Sequence, residues 1–180
     1  MVISTDNFAK SFATAKDKNL SQFLRNLEEV ANTYLHRLNA TDFHGEVRLI
    51  KTFDDSAEIR LFSSNGTEVK NPSGSQQTTM YMSVLFAISD LTTLKREENY
   101  PLIFDAATSS FGDSKEDEFY NIIDKIEKQC IIVTKDFITK GHLRIEDVEQ
   151  LTCTVYRIKK RDGFSQSDLS TICTEVEKVK

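Results

Sequence analysis

Pro101-Leu102-Ile103-Phe104-Asp105-Ala106-Ala107-Thr108-Ser109 is the stretch on which the reading of this chain turns. Pro101 to Phe104 form an apolar run without alternation, the pattern of a central strand covered on both faces. Asp105 falls where that strand emerges, and small residues then turn the chain away. In open α/β sheets the carboxyl ends of strands are where ligands bind. A single Asp there suits a Mg2+ ion beside a nucleotide phosphate. It equally suits a strand closed by a capping Asp, so the flanking segments have to discriminate.

Downstream, Ser114–Gln129 has helical spacing, with Phe119, Ile122, Ile123 and Ile126 on one side. Cys130–Thr134 is a second apolar strand, followed by Lys135-Asp136. Strand, helix and strand in this order predict a right-handed parallel crossover. Upstream lies a helix that opens at Asn71-Pro72-Ser73-Gly74-Ser75-Gln76-Gln77-Thr78. Pro72 blocks an earlier start, Ser73 and Ser75 are suitable N-caps, and Met80, Val84, Leu85, Ala87, Ile88, Leu91 and Leu94 give its apolar side. Before it, Glu46–Phe53, Ala57–Phe62 and Thr67–Lys70 read as an antiparallel meander, with Asn65-Gly66 as the tight turn.

Leu20, Leu24, Leu27, Ala31, Tyr34 and Leu38 recur at steps of four and three, a heptad seam held for under three heptads. It is either a coiled-coil stub or one amphipathic helix packed on the domain. Residues 1–19 are polar and weakly patterned, at either a natural start or a cut within a longer chain. In the tail, Ile145–Gln150 reads as a short helix and Leu151–Ile158 as a strand. Ser165–Val179 reads as a terminal helix or an irregular arm. The chain divides at about residue 40, into a helical segment 1–40 and an α/β lobe 41–180.

The 180 residues suffice for one domain with a real core. Hydrophobic residues at 39% and charged residues at 28% are those of a soluble globular protein, and a cytoplasmic location is expected. No apolar run approaches the roughly 18–20 residues of a membrane span. A net charge of −5 argues against a basic nucleic-acid domain, with Arg157, Lys159, Lys160 and Arg161 as the one local basic cluster. Cys130, Cys153 and Cys173 are too widely spaced for a zinc site and are expected to be buried free thiols.

Taken in order, these pieces resemble the C-terminal half of an ABC-type ATPase head, in the SMC-like branch that includes DNA-repair and DNA sulfur-modification ATPases. Pro72-Ser73-Gly74-Ser75-Gln76-Gln77 is similar to that family's signature motif, usually Leu-Ser-Gly-Gly-Gln/Glu. Leu102-Ile103-Phe104-Asp105 resembles the Walker B strand, Thr108–Asp113 the D-loop, and Lys135 stands at the switch-histidine position. A heptad helix entering a β-meander just before the signature is how a coiled coil returns to such a head. The resemblance covers about residues 20–136. It implies a mixed sheet, with an antiparallel meander and a parallel βαβ core, preceded by a coiled-coil-like helix.

The resemblance also implies a site. Ser73, Gly74, Ser75 and Gln76 would meet the γ-phosphate of ATP held by a second head, since a helix N-terminus offers free N–H groups and a positive dipole end. Asp113 and Lys135 would complete the nucleotide contacts, and Asp105 would hold Mg2+. The implied partners are an N-terminal lobe with the phosphate-binding loop, a second head across an ATP-dependent dimer, and DNA with a nuclease or DNA-modification enzyme; no membrane is implied.

Four departures limit the chemistry. Ala106 stands where the family places a Glu general base and can move no proton. Ala107 replaces a common Pro, Lys135 the switch His, and Ser75 the second signature Gly. None of the six glycines lies in G-x-x-x-x-G-K-[ST], so this chain holds half a site at most. ATP hydrolysis is therefore expected only when another lobe completes it. A non-hydrolysing, ATP-gated dimerisation module and an unrelated α/β binding domain remain the alternatives.

Overall fold

The computed structural model describes residues 5–39, 43–53, 56–93, 100–140, 142–160, 167 and 174–180. In chain order the elements are α1 (Thr5–Leu38), β1 (Gly45–Lys51), β2 (Ala57–Ser63), α2 (Gly74–Thr93), β3 (Leu102–Asp105), α3 (Asp113–Ile123) and β4 (Cys130–Val133). They are followed by β5 (Ile138–Thr139), β6 (His142–Leu143), α4 (Ile145–Gln150), β7 (Tyr156–Lys160) and β8 (Thr174–Lys178). Residues Met1–Ile132 form one compact unit and Val133–Lys180 a second.

In the first unit, α1 is longer than the heptad seam. It begins at Thr5, and residues 7–19 are solvent-exposed throughout. From Leu24 onward the seam is buried at Leu24, Leu27, Ala31 and Leu38, with Tyr34 half-buried and Leu35, outside the expected seam, fully buried beside it. The C-terminal half of α1 is thus an amphipathic helix packed on the lobe. The N-terminal half leaves Phe8 and Phe12 bare, at 72% and 68% exposure.

The packing of α1 on β1 is polar as well as apolar. The Asn32 side chain accepts from Val47 N–H at 2.7 Å and donates to Val47 C=O at 2.9 Å, so it pairs with both backbone groups of that residue as a strand would. Glu28 Oε2 accepts from Leu49 N–H at 2.7 Å. An otherwise open strand edge is closed in this way. On its other edge β1 pairs antiparallel with β2, in the register Val47↔Leu61 and Leu49↔Ile59. The turn at Asn65-Gly66 forms as expected, with Gly66 at φ +80° and Asn65 Oδ1 accepting from Thr67 N–H. The expected return strand over Thr67–Lys70 reduces to a single bridge, Phe62↔Glu68.

Helix α2 lies between two cores. Met80, Val84 and Ala87 join Leu27, Ala31, Leu35, Val47 and Leu61 in the first. Met82 and Phe86 join Leu38, Phe104, Phe119 and Ile122 in the second. The expected apolar side is therefore corrected: Leu85 and Ile88 are partly exposed, at 38% and 40%, whereas Met82 and Phe86 are buried. The run Met80–Ala87 is apolar nearly all round, and such a helix is sandwiched rather than laid on one surface. Leu94 lies outside the described residues.

β3, α3 and β4 form the predicted strand–helix–strand unit, with β3 and β4 hydrogen-bonded neighbours. α3 is shorter than expected. After Ile123 the chain tightens into i→i−3 bonds, Lys125 N–H to Ile122 C=O and Ile126 N–H to Ile123 C=O, both 3.1 Å. Ile126 still reaches the second core. Among the described residues the strands form four separate two-stranded sheets, and no strand bridges the meander to the βαβ unit.

The second unit corrects the tail. Thr174–Lys178 is a strand, antiparallel to β7 with Ile158↔Val176, where a helix or arm was expected. Its alternating, β-branched composition suits a hairpin, and Lys159 sits between Glu175 and Glu177 across the strands at 3.9 and 3.2 Å. β7 begins at Tyr156 rather than Leu151, while α4 matches its expected bounds. The expectation of buried thiols also needs correction: Cys153 is exposed and Cys130 half-buried, and Cys173 lies outside the described residues. Partial burial pushes the Cys130 thiol up from its ordinary range.

The second core centres on Phe86, which is fully buried. Its ring lies 5.3 Å from Tyr34, 5.8 Å from Phe104 and 6.3 Å from Phe119, so α1, β3 and α3 all lean on one side chain of α2. Phe86→Ala should destabilise the first unit by about 3–5 kcal/mol, the usual cost of emptying such a site. Urea denaturation monitored by circular dichroism would measure this.

Candidate functional site

The start of α2 is built by its own sequence. Ser73 Oγ accepts from Gln76 N–H at 3.2 Å, and Gln76 Oε1 accepts from Ser73 N–H at 2.9 Å. This reciprocal capping box selects Ser73 as the N-cap and closes the first turn, with Gln77 N–H bonded to Ser73 C=O at 2.9 Å. The Ser73 hydroxyl uses its oxygen as acceptor and keeps its proton to donate elsewhere. Ser73 and Gly74 are exposed, Ser75 and Gln76 half-buried. A Cβ at Gly74 would meet nothing within 4 Å. The lobe itself therefore has no steric need for glycine there, and the space above the turn is open.

The loop after β3 comes to the same place. Phe104 turns inward at 4% exposure, and Asp105 emerges into solvent at the end of the strand. Ala106 follows with φ 49°, a left-handed conformation that costs an L-residue about 1 kcal/mol or more and that tightens the turn. The chain is then pinned by Ser109 N–H to Ala106 C=O and Phe111 N–H to Thr108 C=O, with Thr108 buried. Asp113 opens α3 as an exposed first-turn residue, where its carboxylate suits the helix dipole.

Two side-chain hydrogen bonds join this loop and the start of α3 to α2. Ser110 Oγ donates to Thr78 Oγ1 at 3.0 Å, and Lys115 Nζ donates to Ser75 Oγ at 3.1 Å. Of the residues expected at the site, Ser75 is linked by its hydroxyl to Lys115, and Ser110 of the loop after β3 to Thr78; Asp105 and Asp113 make no such bond to the Ser73–Gln76 turn among the described residues. Lys135 is exposed in the bend after β4 and belongs to the second unit.

Lys115 was not among the expected residues. It is 4% exposed, and it lies on the α3 stripe of Phe119 and Ile122 at spacing i, i+4, i+7. A lysine continuing an apolar stripe one turn before a buried Phe is the signal that marks it in the sequence. Ser75, the departure from the usual second glycine, is the acceptor for its ammonium.

The strand that carries Asp105 is covered on one face only. Ile103 is 66% exposed and Ile131 of β4 is 44% exposed. The expectation of a strand buried on both sides is corrected to a strand whose second apolar face is bare in this chain. On α2, Tyr81, Leu85 and Ile88, spaced i, i+4, i+7, form a further exposed apolar stripe.

No family model and no curated protein sequence matches the chain. Solved structures do. It is similar to a chain described under ATP-driven dimerization and DNA-stimulated activation of SMC ATPases, at 15% identity and a TM-score of 0.59, covering 88% of this chain and 86% of that one. It is similar to the Smc head domain with a coiled coil and joint from Pyrococcus yayanosii, at 17% identity and a TM-score of 0.67, covering 97% of this chain and 30% of the other. The Pyrococcus furiosus Smc head with an extended coiled coil, bound to the C-terminal domain of ScpA, gives 15% identity and a TM-score of 0.64 over 97% and 40%. The fold is that of an SMC-like head lobe, and the chain spans less than half of the two Pyrococcus heads.

Replacing Ser73 by Ala removes the cap and should lower stability by about 1 kcal/mol. Gly74→Ala should leave stability unchanged or raise it by up to about 1 kcal/mol, since helix propensity improves and no clash arises. Parallel urea titrations of the two variants would check both signs.

Proposed function

We propose that this chain is the C-terminal lobe of an SMC-like ABC ATPase head. It binds Mg-ATP together with a lobe that carries the phosphate-binding loop, and it dimerises on ATP in DNA repair, processing or defence. The observation that carries this reading is the half-covered strand. An apolar strand bare at Ile103, ending in an exposed Asp105, belongs to a sheet that another lobe completes.

In this reading the exposed N-terminal half of α1 leads in as a coiled-coil helix, and its C-terminal half is part of the lobe. The capped turn Ser73–Gln76 presents backbone N–H groups and the Ser73 hydroxyl to a γ-phosphate across the dimer. Open space over Gly74 lets that phosphate approach. Asp105 holds Mg2+, directly or through water, with phosphate oxygens and the other lobe supplying further ligands; among the described residues no cluster of three metal-binding side chains forms. Asp113 adds a polar contact to the nucleotide.

A second reading is favoured by Ala106. A methyl group on a left-handed turn occupies the general-base position, which suits ATP-gated dimerisation without turnover.

The test is reconstitution with the lobe carrying the phosphate-binding loop, followed by calorimetry with Mg-ATP, light scattering for dimerisation and an assay of phosphate release. ATP-dependent dimers are expected. Asp105→Asn should weaken Mg-ATP binding at least tenfold, and Ser73→Arg should abolish dimerisation at little more than the cost of the lost cap. Dimers without phosphate release establish the non-hydrolysing reading. No binding in any pairing, with Asp105→Asn indifferent, overturns both.

The bare strand face has its own test. Ile103→Glu should change the stability of this chain alone by no more than about 0.5 kcal/mol, as for other exposed positions. It should prevent association with the completing lobe, read by size-exclusion chromatography.

A further inference from the structure

We propose that Lys115 is a positioning residue that makes the loop after β3 and the first turn of α2 move as one body. This rests on the reading above that the two elements form one phosphate-facing edge, and it adds how their positions are coordinated.

Three observations carry it. The Lys115 ammonium is delivered from the apolar stripe of α3 into a buried position, and its Nζ donates to Ser75 Oγ at 3.1 Å. Ser75 lies within the turn closed by the Ser73–Gln76 box, so a force on its side chain acts on the turn that offers the free N–H groups. Lys115 is also backbone-bonded to the loop it serves, with its N–H on Gly112 C=O at 3.0 Å. One residue therefore holds both elements.

The energetic asymmetry makes the tie stiff. A hydrogen bond at 3.1 Å fails when its ends separate by much more than half an ångström. Lys115 is buried and Ser75 half-buried, so water replaces a lost acceptor only in part, and the loss costs more than the bond contributes when made. Displacement of either element alone is thus disfavoured, whereas displacement of both together leaves the contact intact. The second bond, Ser110 to Thr78, runs between the same two elements and makes the connection two-point. Ser75 is where the related motif has glycine, which could make no such bond. In this chain the hydroxyl has a defined partner.

The test is amide hydrogen exchange of residues 108–113 in the full chain, for wild type, Ser75→Gly, Lys115→Met, the double variant and Lys115→Arg. The amides of β1 serve as an internal reference. Each single variant should speed loop exchange about tenfold with β1 unchanged, the double variant should add nothing further, and Lys115→Arg should restore much of the protection. In the assembled head, Ser75→Gly and Lys115→Met should raise the ATP concentration for half-maximal dimerisation by similar factors.

Unchanged loop exchange, additive effects in the double variant, or an equal rise in β1 exchange would each overturn the proposal. Coupled loop exchange in a wild-type head that never dimerises on ATP would overturn the function proposed above and leave the mechanical tie standing.

Discussion

The packing of Phe86 against Tyr34, Phe104 and Phe119 is the constraint on which the first unit depends. These rings come from four elements, α1, α2, β3 and α3, and the four residues lie at least fifteen positions apart along the chain. Phe104 precedes Asp105, and Phe119 follows Lys115 by one helical turn. Fixing the rings therefore fixes where the carboxylate emerges and where the ammonium reaches. Tyr34 extends the arrangement to polar chemistry: its hydroxyl donates to Asp90 Oδ2 at 2.5 Å, and burial pushes the phenol well above its ordinary range. Arg37, one turn on, reaches Glu118 of α3 at 3.0 Å. That pair is partly exposed and adds orientation more than stability.

Around this centre, side chains repeatedly stand in for backbone. Asn32 and Glu28 supply to β1 what a neighbouring strand would supply, and Gln76 and Ser73 supply to α2 the missing bonds of its first turn. Lys115 and Ser110 do the corresponding work between elements, joining a loop to a helix start that share no backbone hydrogen bond. Such bonds hold best where water is excluded, and Lys115 and Val47 are both buried.

The exposed apolar residues are as informative as the buried ones. Ile103, Ile131 and the stripe Tyr81, Leu85, Ile88 sit on elements whose other faces are packed. Scattered exposed hydrophobics are ordinary, but apolar faces on a strand and a helix of the core are characteristic of surfaces that another body covers. The two-stranded sheets among the described residues agree, because sheets this narrow rarely stand alone.

Much of the first unit was legible locally. The Asn65-Gly66 turn, the α2 start at Ser73, the β3 run ending in Asp105 and the heptad seam of α1 each carry their own propensity, capping or periodicity signal. Order along the chain also carried the likeness to an SMC-type head, which the fold bears out. What sequence could not supply depended on contacts between distant segments. Periodicity shows that Met80–Ala87 is apolar, but only packing decides that Phe86 is fully buried while Leu85 stays partly exposed. An unbroken run such as Leu102–Phe104 does not say whether its second cover lies in the same chain. The pattern of Thr174–Lys178 becomes a strand only through pairing with Tyr156–Lys160. Lys115 follows the same rule. Its place on the α3 stripe was written locally, whereas its bond to Ser75, forty residues earlier, exists because the aromatic core brings α2 and α3 side by side.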